Sequence, residues 1–319
     1  MAVLFSKQAV AMRRMRGHQN PLKSASLNLE EDYRRSVPEA PPSRFLPATA
    51  VEIIREVRPG IPFRHALFDF DGTLSLIREG WPAVMVEMMT EELLATGTPE
   101  PAEDISNVCR EFVMRLTGKQ TIYQMIRLAE EVRRRGGKPR DPLEYKEKYH
   151  GRLMDKIRHR RETLRSSQAG PEDYLVAGAL KVLAAIRDRG LPMYLASGTD
   201  RTYVVEEAGL LGLTPYFGDH VYGAIDDYTK YSKQLVIERI LGENNVDGSS
   251  LLGFGDGYVE IRNIKSAGGV AVAVASDEAG RSGRPDPWKR DRLIGVGADL
   301  VVPDFRDADA LLAYLFRQE

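Results

Sequence analysis

The chain has 319 residues, with 45 lysines and arginines against 46 aspartates and glutamates, for a formal net charge of −1. That balance offers no footing for nucleic acid or another polyanion, and 43% hydrophobic with 29% charged residues is ordinary for a folded chain of about two domains. The single cysteine, Cys109, excludes an internal disulfide, and no apolar run approaches the roughly 18 residues of a membrane span, so a cytoplasmic protein is expected.

Residues 1–18 carry Lys7, Arg13, Arg14 and Arg16 and no acid, superficially the pattern of an organellar transit peptide. They lack a continuous apolar core and read as a basic leader or surface helix. Residues 36–48 are Pro-rich and read as extended linker. Residues 1–60 are therefore expected to be an appendage to the main folded unit, disordered in part. At residues 65–76 an apolar run, Ala66-Leu67-Phe68, delivers Asp69 and Asp71 into a turn at Gly72-Thr73. Burying carboxylates beside apolar residues is costly, and two so close repel. A divalent cation relieves both problems. A solvated acidic turn is the plainer alternative. A calcium loop needs more acids and a Glu at about position twelve, whereas Glu79 falls at position eleven from Asp69.

Helical periodicity follows over 82–96, 102–116, 121–135 and 142–166, broken at Gly136-Gly137-Lys138-Pro139, with no strand expected between 77 and 170. Cys109 lies in that pattern and reads as a small buried residue. Arg133–Arg135 and Arg158–Arg161 read as solvated faces. Arg78 and Trp81 are further candidates for substrate contact, Trp81 more readily for packing. Beyond 172 the pattern alternates: a helix over 175–189, a strand over 192–196, a helix over 201–209, a strand near Val221, a helix over 233–241, strands over 250–254 and 270–275 flanking a helix over 258–267, a strand over 299–302 and a helix over 307–317. Such alternation implies an α/β fold, a doubly wound, Rossmann-like parallel sheet covered on both faces, with ligands bound beyond the carboxyl ends of its strands.

The strand over 192–196 ends in Ser197-Gly198-Thr199-Asp200. A hydroxyl, a permissive glycine and helix N-terminal amides suit phosphate, and equally suit simple capping. Lys230 and Lys233 stand close together before Val236-Ile237. Lys233 falls in the first turn of its helix, an unfavourable place for a cation unless an anion is shared there. Residues 252–260 carry a strand into Asp256, with Glu260 four positions later on the same helical face. The five histidines show no zinc-ligand spacing.

Phe68-Asp69-Phe70-Asp71-Gly72-Thr73-Leu74 resembles the first motif of the haloacid dehalogenase superfamily, phosphatase branch, of the phosphoglycolate and phosphoserine phosphatase kind. Ser197, Lys233 (in a Lys-x-x-Val-Ile phase) and Asp256 match its second, third and fourth motifs in order. The resemblance implies Asp69 as nucleophile and Asp71 as general acid/base, and dehalogenases lack the second acid. It further implies Ser197, Gly198 and Lys233 as phosphate ligands, Asp69, Asp256 and the Asp71 backbone carbonyl as magnesium ligands, and Glu260 and Thr73 in support. Glu260 departs from the commonest acid at its position. The chemistry stands independently, since a carboxylate is a competent nucleophile and a second one can shuttle the proton. The expected domains are residues 61–79 with 171–319 as core and 80–170 as a helical cap of the type inserted after the first motif, hinged near Leu76–Gly80 and Ala169–Tyr174. A phosphatase acting on a small phosphorylated metabolite with Mg²⁺ is expected. A sugar phosphomutase and a non-catalytic phospholigand-binding protein are the alternatives.

Overall fold

In the computed structural model, which describes residues 32–37, 42–225 and 227–318, each apolar run that precedes a motif is a strand of one sheet. In chain order the elements are β1 (Arg44–Phe45), β2 (Glu52–Ile53), β3 (His65–Phe68), α1 (Trp81–Leu94), α2 (Ala102–Leu116), α3 (Thr121–Arg134), α4 (Pro142–Arg165), α5 (Ala179–Arg187), β4 (Met193–Asp200), α6 (Arg201–Leu210), α7 (Thr214–Phe217), β5 (Val221–Ala224), α8 (Lys233–Asn244), β6 (Leu251–Gly255), α9 (Tyr258–Ser266), β7 (Val270–Val274), α10 (Pro287–Gly295), β8 (Leu300–Val302) and α11 (Ala308–Leu315). The basic stretch at 1–18 lies outside the described residues.

The sheet order is β1-β2-β8-β7-β6-β3-β4-β5. Strands β3 to β8 are parallel. The chain builds outward from β3 through β4 to β5, then returns and builds the other way through β6, β7 and β8. The reversal lies between β3 and β6, paired Phe68 to Phe254, and this is where such sheets bind ligands. Side chains alternate across the sheet. Ala66 and Phe68 pack with Val182 and Ile186 of α5 and Leu311 and Leu315 of α11. Leu67 packs on the opposite face with Ile237 of α8, Ile264 of α9 and Leu293 of α10.

Helices α1–α4 form the insertion between β3 and β4. Their apolar positions recur every three or four residues and meet in a shared core, as with Met88 and Met89 of α1, Cys109 of α2, Leu128 of α3 and Leu153 of α4. Asp141 caps α4 by accepting from Leu143 N at 2.9 Å, with Pro142 in the first turn.

Two expectations are corrected. The stretch read as linker, 36–48, contains β1, and the stretch read as an appendage, 1–60, also contains β2: β2 pairs antiparallel with β8, and β1 with β2. Buried Glu52 anchors them, accepting from Ser43 Oγ at 2.5 Å and from Arg290 Nε at 2.7 Å. Two-residue strands carry no readable period, so proline content dominated the reading. Arg135 and Arg160 are not solvated. Arg135 pairs with Glu100 and Glu131, its side chain 6% exposed, and Arg160 donates to backbone carbonyls of the segment leaving β3. Helix α10 was unanticipated, although Asp286 caps it at Lys289 N (2.8 Å) and Pro287 opens it.

Candidate active site

The backbone ladder places the first carboxylate. Asp69 N donates to Phe254 O at 2.9 Å, so the chain leaves β3 in register with β6. Lys233 is the first residue of α8, whose cap Ser232 accepts from Leu235 N at 3.1 Å. Its Nζ lies 2.8 Å from Asp69 Oδ1 and 2.9 Å from Glu260 Oε2. Glu260 also accepts from Gly257 N at 2.6 Å, which closes the first turn of α9. Glu260 thus acts on the site through Lys233. Burial would push the ammonium down, but Asp69 and Glu260 hold it well above its ordinary value. Burial raises the Asp69 carboxyl, with Glu260 and Asp256 adding repulsion and Lys233 opposing. Burial would raise Glu260 too, but Lys233 holds it below the usual range. Lys230 lies elsewhere, 74% exposed and paired with Asp227 at 2.8 Å.

Asp71 lies across the turn. Its Oδ2 accepts from Thr199 Oγ1 at 2.9 Å and from Ser197 Oγ at 3.4 Å. Ser197 Oγ in turn accepts from Thr199 N at 3.0 Å. Strand β4 runs on through this motif to Asp200, so Ser197 and Gly198 are held by sheet. Asp71 Oδ1 has no hydrogen bond and lies 3.8 Å from Arg78 Nε. Arg78 is buried and bound to Glu207 of α6 through Nε and Nη2, both at 2.9 Å. Burial pushes the Asp71 carboxyl up to about 6 against the pull of Arg78. Gly72 adopts φ +74°, and a Cβ there would lie 2.1 Å from Asp256 Oδ2, so the turn needs glycine on both counts. Thr73 is buried with an unpartnered Oγ1 and reaches no site group.

Asp256 follows β6. Its Oδ2 accepts from Lys289 Nζ at 2.8 Å, and Lys289 also reaches Glu278 Oε1 at 2.7 Å and Ser276 Oγ at 3.0 Å. Ser276 donates to Gly72 O at 2.6 Å, tying the loop after β7 to the first turn. Asp69, Asp256 and Glu260 bring carboxylate oxygens within 4.8 Å of one another. An all-oxygen donor set, in which burial and the Glu260 and Asp256 carboxylates push the Asp69 carboxyl up, fits a hard divalent cation.

Asp69, Asp71, Ser197, Gly198, Lys233 and Asp256 line one cavity of about 90 Å³. The insertion closes it with the turn between α2 and α3. Gly118, at φ +101°, sets its Cβ position 3.3 Å from Gly257 Cα, and Gln120 Nε2 donates to Tyr231 O at 2.8 Å.

The profile of the haloacid dehalogenase-like hydrolases matches residues 63–268. The chain belongs to that family. No curated protein matches the sequence. Among solved structures, a haloacid dehalogenase-like protein of unknown function from Agrobacterium tumefaciens is 19% identical (79% of this chain, 98% of that one, TM-score 0.51). A predicted phosphoglycolate phosphatase from Haemophilus somnus is 17% identical (79% and 98%, TM-score 0.52). A family IA, variant 3 hydrolase from Entamoeba histolytica is 20% identical (77% and 95%, TM-score 0.52). These likenesses concern the fold.

Relative to the family motifs, sequence reasoning missed Thr199, Lys289, Glu278, Lys119 and Tyr149. Thr199 sits within the second motif and was read as part of a cap. Lys289 had a local signal in the Asp286-Pro287 helix start. Arg78 and Trp81 both line the cavity, but Arg78 is committed to Glu207.

Proposed function

We propose that this haloacid dehalogenase-like hydrolase is a phosphatase that cleaves a small phosphomonoester through an aspartyl-phosphate on Asp69. Asp69 attacks phosphorus, forming an acyl-phosphate bond as the bond to the leaving alcohol breaks. Asp71, bound to Thr199 and Ser197, gives its proton to the leaving oxygen. It then takes one from the water that cleaves the aspartyl-phosphate. A carboxyl raised by burial to about 6 is well placed for both directions of transfer. Lys233, fixed between Asp69 and Glu260, and the Ser197 hydroxyl hold the phosphoryl oxygens, where most of the catalysis of phosphoryl transfer arises. Magnesium held by Asp69, Asp256 and the Asp71 carbonyl supplies, when bound, positive charge against those oxygens. The insertion over the cavity excludes bulk water.

The observation that carries this reading is the convergence of Asp69 and Asp71 after β3, Ser197 in β4, Lys233 at the start of α8 and Asp256 after β6 on one cavity. The test is phosphate release from a panel of sugar phosphates, nucleotides and phosphoglycolate, with magnesium and with chelator. Release that needs magnesium and vanishes in Asp69→Asn is expected. Transfer of the phosphoryl group to a second hydroxyl without release would instead make the protein a mutase, and absence of any turnover would remove the phosphatase reading.

A further inference from the structure

Among the described residues, the cavity wall beyond the acidic groups carries three cations, Arg78, Lys119 and Lys233, and each has a carboxylate beside it. Arg78 has Glu207, at 2.9 Å. Lys233 has Asp69 and Glu260. The Lys119 ammonium, on a side chain only 4% exposed, meets Asp32 Oδ1 at 2.7 Å. The other described lining residues, among them Trp81, Thr117, Thr121, Gln124 and Tyr149, are uncharged. A second anionic group on the substrate would therefore displace an existing ion pair to find a counter-charge.

Asp32 belongs neither to the core nor to the insertion. It lies in the stretch 32–37, which is fastened to α9 and α10. Ser36 N and Val37 N donate to Gly295 O at 2.8 and 3.1 Å. Arg35 Nη1 pairs with Asp291 at 3.0 Å, and Arg262 Nη2 donates to Asp32 O at 3.1 Å. The Tyr33 ring stands edge-on to Tyr258 at 5.6 Å, with the Arg292 guanidinium 4.2 Å over it. These contacts hold the stretch on the core, and from there Asp32 reaches the turn that closes the cavity.

We propose that Asp32 sets the charge preference of this site: by neutralising Lys119 it makes the pocket select a phosphomonoester whose alcohol portion is uncharged and hydroxyl-bearing, against esters carrying a second anion. The proposal rests on the phosphatase reading above. Asp32 acts through Lys119 and is a positioning residue. Lys119 lines the cavity from the insertion, while Asp69 and Asp71 line it from the core. The pair therefore discriminates among leaving groups.

The test uses the full chain with magnesium and compares kcat/KM on glycerol 3-phosphate, whose alcohol portion is a neutral polyol, with kcat/KM on 2-phosphoglycolate, whose leaving group bears a carboxylate. The wild type should favour the neutral ester. Asp32→Asn withdraws a negative charge from Lys119 and should shift the ratio toward phosphoglycolate by about tenfold, the scale of one charged hydrogen bond, chiefly through KM. Asp32→Glu should restore the wild-type ratio, and adding Lys119→Met to Asp32→Asn should abolish the shift. Near-UV circular dichroism checks that each variant is folded. An active wild type that prefers phosphoglycolate, or a ratio unmoved in Asp32→Asn, overturns the inference and leaves the phosphatase reading standing. A wild type that releases phosphate from no ester at all overturns both.

Discussion

Asp69 and Asp71 are separated by one residue and held in different company. Lys233 and Glu260 enclose the first, whereas Thr199, Ser197 and the Arg78 guanidinium surround the second. Such a split is what one attacking and one proton-carrying carboxylate require. In Asp69→Asn an amide replaces the proposed nucleophile without changing its shape, so turnover should fall by on the order of 10⁴-fold or more. The melting temperature should hold or rise, because a carboxylate raised by burial and by Glu260 and Asp256 is removed. Turnover near the wild-type rate would take Asp69 out of the mechanism. Asp71→Asn should lose about 10²–10⁴-fold and accumulate phospho-enzyme, visible as one added phosphoryl group on the intact mass. No trapped adduct together with full turnover would contradict the proton-carrying role. These residues were legible because each follows an apolar run, so its neighbours in sequence announce it. Glu207 and Lys119 were not. Nothing local distinguishes a lysine that meets Asp32 across 87 positions from one that meets water.

At the scale of elements, length decided what was readable. Helices α1–α4 span 14, 15, 14 and 24 residues, enough turns for an apolar stripe to repeat. Strands β3 and β6 were readable as short apolar runs ending in acid. Strands β1 and β2, with two residues each, were not; side chains distant in sequence join them to the core. Burial alone would raise the Glu52 carboxyl, but hydrogen bonds from Arg290 and Ser43 overcome it and hold the group below its ordinary 4.5. A carboxyl lowered on folding contributes stability that is fully present above the unfolded value and is lost as pH falls through the folded one. Glu52→Gln should therefore cost about 1–3 kcal/mol at neutral pH and flatten the loss of stability below pH 4.5. Urea unfolding at several pH values measures both. An unchanged acid limb would mean that β2 is held by its backbone pairing alone.

For the whole molecule the question is how the insertion stays registered over the sheet. The two crossing segments pair with each other: Leu76 N donates to Tyr174 O at 2.7 Å and Val176 N to Leu74 O at 2.9 Å. Polar ties then span the gap, including Lys146 Nζ to Asp200 at 2.5 Å and Gln120 to Tyr231, with Arg161 and Arg165 on Glu206. Such groups exchange readily for water, so movement of the insertion over the sheet is expected to break these ties first. One residue fixes the crossing itself. Arg160, near the end of α4, donates through Nη1 to the carbonyls of Ile77 at 2.8 Å and Glu79 at 3.0 Å, and through Nη2 to the Glu79 carboxylate at 2.8 Å. It clamps the last helix of the insertion to the chain that has just left Asp71. Arg160→Met keeps the apolar stem and removes the clamp. Amide exchange should then quicken at residues 76–80 while β3 and β6 keep their protection. Because closure over the cavity is shared by binding and turnover, kcat and KM should change together. Exchange at 76–80 as slow as in the wild type would place the hinge elsewhere. Quickened exchange with unchanged kinetics would show that closure does not depend on this crossing.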